Sequence, residues 1–275
     1  MSNILVNASI VLYHNKREQL KKVIDSFLGT QLDVLLYLVD NSADDTLKDL
    51  AALDNRIIYI FNNANLGYGA GHNVAIRKSI EMGIEYHVVL NPDLNFESSV
   101  IDSIYEYMQN HQDVGNLMPK ILYPNGENQY LAKLLPTPLD WILRRFLPAR
   151  FTQSITEKFE LRYTGYDEVM NVPFLSGCFM FLRTKALKDV GLFDEDIFMY
   201  MEDVDLNRRI HAKYKTVYYP EAHIFHEYER GSHKNFKLLL ISIGSSIKYF
   251  NKWGWFFDKE RKNMNNKILK DTNYV

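Results

Sequence analysis

Apolar, β-branched runs at 4–13, 34–40, 57–61 and 86–90 alternate along the chain with amphipathic stretches at about 16–28, 43–52 and 70–82. Short apolar runs bounded by polar turns predict buried strands, and the periodicity between them predicts helices. A further helix is expected over 97–111. This alternation implies right-handed βαβ units, hence an α/β fold with a mostly parallel central sheet and helices on its faces. Ligands of such sheets bind beyond the carboxyl ends of the strands, where strand order reverses. The polar residues that follow each run are therefore the first candidates for chemistry. They are "YHN" (Tyr13–Asn15), "VDNSADD" (from Asp40 and Asn41) and "LNPD" (Asn91 to Asp93).

Taken singly, these residues leave alternatives open. Asp40 suits a structural role as a turn or N-cap residue as well as a contact to a ligand; Asp93, behind a buried strand and a proline, is less easily explained as a cap. The stretch "NNANLGYGAGHN" places Gly67, Gly69 and Gly71 ahead of a helical pattern that contains Asn73. Its G-x-G-x-G spacing, after the third strand, excludes the dinucleotide fingerprint and with it a nicotinamide-dependent oxidoreductase. Turn chemistry and a flexible loop beside a ligand both fit the glycines. Five prolines between Pro119 and Pro148 break the alternation over 112–170, where "LDWILRRFLPARF" mixes Arg144, Arg145 and Arg150 with aromatics. That segment reads as a lid or packing excursion, or as a basic amphipathic element on an anionic membrane surface.

Further on, "FMYMEDVDLNRRI" sets Glu202, Asp203 and Asp205 behind Phe198, Met199, Tyr200 and Met201. Acids in a first helical turn complement the helix dipole, but the apolar lead-in reads as a pocket wall with carboxylates at its rim. The segment "VYYPEAHIFHEYERGSHK" gives a strand pattern followed by His223, His226 and His233. If His226 lies near Asp93, imidazole and carboxylate can share a divalent metal with phosphate oxygens.

With 275 residues, 47% of them hydrophobic and 24% charged, the chain suits one large domain or two intimate ones. A net charge of −2 gives no global attraction to nucleic acid. The lone Cys178 cannot form an internal disulfide, which points to a reducing compartment. Near the N-terminus the apolar stretch precedes Lys16 and Arg17, the wrong order for a secretory signal, and no stretch is long and apolar enough to span a bilayer. From Arg230 onward ten Lys or Arg face three acids, around the aromatic stretch "YFNKWGWFF". Residues 236–275 are therefore expected to form a basic, aromatic, helical tail that faces a membrane or a partner. Such a tail can dimerise as readily as it binds lipid.

Taken in order, "SIVLYHN", "VDNSADD", "NNANLGYGAGHN", "LNPD", "FLSGCFMFLR" and "FDEDIFMYMEDVDLNRRI" make the chain resemble the inverting glycosyltransferases of family 2, of GT-A fold, most closely their bacterial rhamnosyltransferase-like branch. The resemblance covers roughly 6–235 and implies a catalytic domain over 1–235. It implies a nucleotide-sugar donor, dTDP-rhamnose in that branch, and a glycan or lipid-linked glycan acceptor in cell-surface polysaccharide synthesis. Other sugars carried on UDP are the alternative within the class, and a silent sugar-nucleotide-binding module the alternative outside it. The donor-binding residues it implies are Tyr13, Asp40, Asn41, Gly67, Asn73 and Asn91, with Arg230 and His233 as cations near the diphosphate. It also implies a divalent metal, Mg2+ or Mn2+, held by Asp93 and His226, with Asn91 standing where the family's D-x-D motif has its first acid. Asp203 would be the base that takes the acceptor's proton, with Glu202 in support. The expected location is the cytoplasm, peripherally on the inner face of a bacterial membrane.

Overall fold

The computed structural model describes residues 4–227 and 236–274. The four expected strands are present and parallel: β1 (Val6–Leu12), β2 (Val34–Asp40), β3 (Ile57–Phe61) and β4 (Tyr86–Leu90). Helices α1 (Arg17–Leu28), α2 (Tyr68–Glu81) and α3 (Ser99–Asn110) follow the periodicity closely. Period-two alternation divides β4 between two cores. Val88 and Leu90 join the cluster under α1 and α3, while Val89 joins Ile76 of α2 on the opposite face.

Two expectations fail locally. Residues 43–52 form only a short 3-10 turn, Lys48–Ala52. Ahead of it, Asp40 Oδ1 accepts from the backbone of Ser42 (2.8 Å) and Asp44 Oδ1 from the hydroxyl of Thr46 (2.7 Å), local bonds that compete with a helix. The excursion expected from 112 begins later, because Val114–Leu122 is a strand (β6) in the middle of the sheet, Pro119 included.

After β5 (Leu94–Asn95) and β6 come β7 (Ala132–Lys133), α4 (Pro138–Phe146), α5 (Ala149–Phe159), β8 (Met170–Asn171), β9 (Phe174–Leu175), β10 (Phe179–Arg183), α6 (Thr184–Val190), α7 (Glu202–His211) and β11 (Lys215–His226). Among the described residues the main sheet runs β3-β2-β1-β4-β10-β6-β11-β5, with β8 paired to β11 and a separate β7-β9 ribbon. Strand β10 is antiparallel to both neighbours. The chain leaves β1 for β2 and β3 on one side, then crosses back to β4 on the other. The switch point therefore lies at the carboxyl ends of β1 and β4, beside Asp40 and ahead of Asn91.

The last two helices, α8 (Phe236–Trp253) and α9 (Lys259–Asp271), form the helical tail expected there and pack one face back onto this unit. Tyr249 and Phe250 are buried against Leu135, Ile197, Met201 and Val204. Trp253 donates its indole N–H to Asp205 (2.7 Å), and Arg208 forms a bidentate pair with Asp258, at 2.6 and 2.7 Å, with both side chains buried. Asp258 also caps α9 by accepting from the backbone N–H of Arg261 (2.9 Å). Phe236, Leu240, Phe256 and Phe257 remain exposed. Among the described residues no helix is long and apolar enough to cross a membrane.

Candidate functional site

At the end of β2, Asp40 is fully buried, with one oxygen on the Ser42 N–H and the other accepting from the Tyr59 hydroxyl (2.7 Å). Burial and this carboxylate hold the Tyr59 phenol well above its ordinary pKa. Next to it, the Asn41 amide donates to the carbonyl of Gly67 (3.0 Å) and accepts from Asn62 (2.8 Å), tying the β2 end to the glycine loop. Tyr13 stands exposed at the neighbouring strand end.

The glycines prove to be packing devices. Gly67 has φ 89°, and a Cβ there would lie 2.3 Å from the carbonyl oxygen of Phe198. A Cβ on Gly69 would strike Phe193, and one on Gly71 would strike Val11. These contacts seat the start of α2 against the lead-in to the acidic motif, where the Tyr68 N–H donates to Phe198 (2.8 Å). Asn73 is buried, and its amide is bonded to Phe193 and Glu195, which anchors α2 to the lead-in of the acidic motif.

Past β4, Asn91 is held by its N–H to the carbonyl of Cys178 (2.8 Å) and by the Tyr68 hydroxyl donating to its Oδ1 (2.9 Å). The same hydroxyl lies 2.7 Å from the carbonyl oxygen of Gly177. Alternation along β11 exposes His223 and turns His226 inward. Nε2 of His226 lies 3.3 Å from Oδ1 of Asp93, a buried oxygen with no hydrogen-bond partner. Its Nδ1 lies 3.0 Å from Gln129 Oε1, a contact that suits Nδ1–H donation and leaves Nε2 facing Asp93. Burial alone would lower the pKa of His226, but Cys178 and Asp93 beside it raise it to about 10. The residues present fit a divalent cation. The Asp93 oxygen and the His226 nitrogen, 3.3 Å apart, would hold such an ion once the imidazole gives up its proton. Cys178 also lies beside His226, and among the described residues no group of three or more His, Cys, Asp or Glu is arranged around one metal position.

The acidic motif opens α7 after two non-glycine residues in the left-handed region, Tyr200 at φ 67° and Met201 at φ 71°. Such strain persists only where packing enforces it, and the buried Met201 is pinned in the cluster with Tyr249 and Phe250. The expected apolar wall is thus partly a joint with the C-terminal helices. Asp203 accepts from the N–H groups of Gly177 (2.9 Å) and Val204 (2.8 Å). A Cβ on Gly177 would sit 3.0 Å from that of Asp203, so glycine permits the approach.

Burial raises the pKa of both carboxyls. For Glu202 the neighbouring Asp203 adds to the effect and Oε2 has no partner, whereas the two N–H donors and Lys133 temper it for Asp203. When one proton is shared out, Glu202 holds it and Asp203 carries the charge. A carboxyl whose folded pKa is raised takes up a proton on folding, so its burial weakens the fold as pH climbs above the unfolded value of 4.5. Glu202→Gln, neutral at every pH, is expected to stabilise the protein at pH 8 by about 1–3 kcal/mol and to change little at pH 4. Urea melts at both pH values check this; lower stability of the variant at pH 8 would contradict it.

Sequence reasoning located the strand-end residues but missed Tyr68, Gln129 and Lys133, which join the motifs through contacts distant in sequence. Arg230 and His233 lie outside the described residues.

Residues 9–191 match the profile of Glycosyl transferase family 2. An N-acetylglucosaminyl-diphospho-decaprenol L-rhamnosyltransferase of Mycobacterium tuberculosis is 30% identical over 213 residues, spanning 72% of this chain and 68% of that protein. Rhamnosyltransferase WbbL of Escherichia coli is 23% identical over 250 residues, spanning 87% of this chain and 90% of its own length. The crystal structure of GalNAc-T7 with UDP, GalNAc and Mn2+ superposes with a TM-score of 0.65 at 14% identity, covering 98% of this chain and 54% of that one. That likeness concerns the fold alone. Sheet order, strand-end residues and relatives agree: the chain is a glycosyltransferase of GT-A fold and belongs to glycosyl transferase family 2.

Proposed function

We propose that this enzyme transfers L-rhamnose from dTDP-rhamnose, with inversion, to a lipid-linked glycan acceptor. The observation that carries the reading is the meeting of three motifs at one hydroxyl. Tyr68 reaches both Asn91 and the Gly177 carbonyl, and the Gly177 N–H holds Asp203. The names of the relatives support rhamnose and a diphosphate-linked polyprenyl acceptor.

In this reading Asp40 and Asn41 receive the nucleoside beneath Tyr13, with Gly67 shaping the loop, and Asn91 faces the donor beside Asp93. Asp203 takes the acceptor's proton as that oxygen attacks the anomeric carbon, and the nucleoside diphosphate leaves from the opposite face. Glu202, protonated, keeps a second charge away from the base. Asp93 and His226 would hold Mg2+ or Mn2+, which when bound supplies positive charge to the leaving diphosphate.

A panel of nucleotide sugars, read by nucleoside diphosphate release with and without divalent metal, tests the reading. Release from dTDP-rhamnose alone, abolished by chelation, is the expected result; release from a UDP-sugar instead would reassign the donor. Asp93→Ala is expected to weaken metal-dependent donor binding by about tenfold or more. Calorimetry showing unchanged affinity and metal response would remove Asp93 from the site.

A lipid-linked acceptor places the enzyme at a membrane surface, and the exposed Phe256 and Phe257, flanked by Lys259 and Lys262, suit that contact. Phe256→Ser with Phe257→Ser is expected to lower co-sedimentation with anionic vesicles about tenfold. Equal partitioning would leave these rings as a contact between subunits.

A further inference from the structure

Two arginines contact the carboxylate of Glu160 at the excursion helices, and Lys133 lies within electrostatic range of it and of Asp203. Arg162 donates to Glu160 through Nε (2.8 Å), and Arg144 lies 3.7 Å from the same carboxylate. Lys133, on β7, pairs in register with Phe174 of β9, three residues before Gly177. Each cation lies over an aromatic ring: Lys133 over Phe174 at 5.9 Å, Arg144 over Phe159 at 3.6 Å and Arg162 over Tyr130 at 4.7 Å.

Their donors are under-used. Among the described residues the half-buried Lys133 ammonium makes no hydrogen bond or ion pair, and Nε of Arg144 is buried without a partner. Asp140 lies one turn before Arg144, bonded to Thr137, and Lys133 is within electrostatic range of both Glu160 and Asp203. Among the described residues Glu160 is the only carboxylate in contact with the two arginines, and the Lys133 ammonium, which feels both Glu160 and Asp203, retains free N–H donors. Desolvated cations with unfilled donors favour an anion of matching size.

A second feature indicates what carries that anion. Beside the cluster opens a cavity of about 670 Å³, lined by Leu134, Phe159, Phe256 and Phe257 together with the polar Lys158 and Arg261, most of its surface being apolar. Leu134 directly follows Lys133, and Phe159 is the ring beneath Arg144. A charged cluster that adjoins an apolar cavity ending in exposed phenylalanines matches an anionic amphiphile, with phosphate at one end and hydrocarbon at the other.

We propose that Lys133, Arg144 and Arg162 form the subsite for the phosphate of the acceptor, and that the adjoining cavity takes the start of its lipid chain. This deepens the transferase reading and rests on it for the identity of the ligand. Lys133 would place the acceptor's charged group beside the Asp203 segment, so that the sugar it carries faces the carboxylate.

The test is calorimetric titration of decyl diphosphate into full-length enzyme saturated with magnesium and, in separate runs, UDP or dTDP, so that the donor site is filled. Wild type is expected to bind, with decyl maltoside as a neutral control binding far more weakly. Lys133→Gln should weaken binding about tenfold, Lys133→Arg should restore most of it, and Glu160→Gln, which removes the competing carboxylate, should tighten it. Thermal melts verify that each variant is folded. Equal affinity in wild type and Lys133→Gln, equal binding of decyl maltoside, or no binding by wild type would each overturn the subsite. A donor panel without turnover would sink the transferase reading and leave these binding results standing, so the two failures are distinguishable.

Discussion

Asp203→Asn is expected to lower turnover by about 10²- to 10⁴-fold while donor affinity stays within about threefold. The carboxylate has two oxygens, and each already accepts one backbone N–H, from Gly177 and from Val204. These bonds fix its orientation while leaving further lone pairs for an incoming hydroxyl. Burial raises its pKa, which strengthens it as a base, and the two donors with Lys133 keep that rise in check. Asparagine retains the shape but cannot take up the proton, and its NH2 must oppose one of the two N–H groups. Some loss of stability, on the order of 1–3 kcal/mol, therefore accompanies the loss of rate. Donor binding by calorimetry and turnover by nucleotide release separate the two effects. Near-normal turnover by a folded variant would move the base role to Glu202. In the wild type, kcat/KM should rise with pH and level off above the raised pKa of Asp203, because only the ionised form accepts the proton.

What was legible in the sequence follows the range of the interactions. Strands β1 to β4 were readable to within about two residues because each is a β-branched run between polar turns, a local signal. Strand β6 was not, since Pro119 and the prolines after it signal irregular chain, while its place between β10 and β11 depends on partners far along the sequence. The helix expected at 43–52 was lost to side-chain bonds of Asp40 and Asp44, short-range competitors that periodicity does not register. Asp40, Asn91, Asp93, Glu202 and Asp203 were legible because strand ends and an acidic turn mark them. His226 was legible only as a conditional partner of Asp93. Tyr68, Gln129 and Lys133 carry no local sequence signal. Their positions come from α2 meeting the 174–177 segment and from the β7-β9 ribbon, neither of which has a sequence signature.

The C-terminal helices carry the other large effect. Asp258→Ala is expected to destabilise the whole protein by about 3–5 kcal/mol, in the range measured when one partner of a buried ion pair is removed. Arg208 is 2% exposed in its side chain, and both guanidinium nitrogens facing Asp258 depend on that carboxylate. Glu260 remains as a partner at 2.8 Å, but it is half-exposed and replaces only part of the pairing. Alanine also removes the cap of α9 and so frees the helix whose Ile268 is buried in the main core. The damage should reach the site, because Arg208 lies on α7, whose first residues are Glu202 and Asp203. Activity and the thermal transition are therefore expected to fall together. Replacing Arg208 and Asp258 jointly by leucine removes both charges and should recover much of the stability, as apolar substitutes for buried pairs often do. A melting temperature for Asp258→Ala within about 2 °C of wild type would show that the last two helices are an independent appendage.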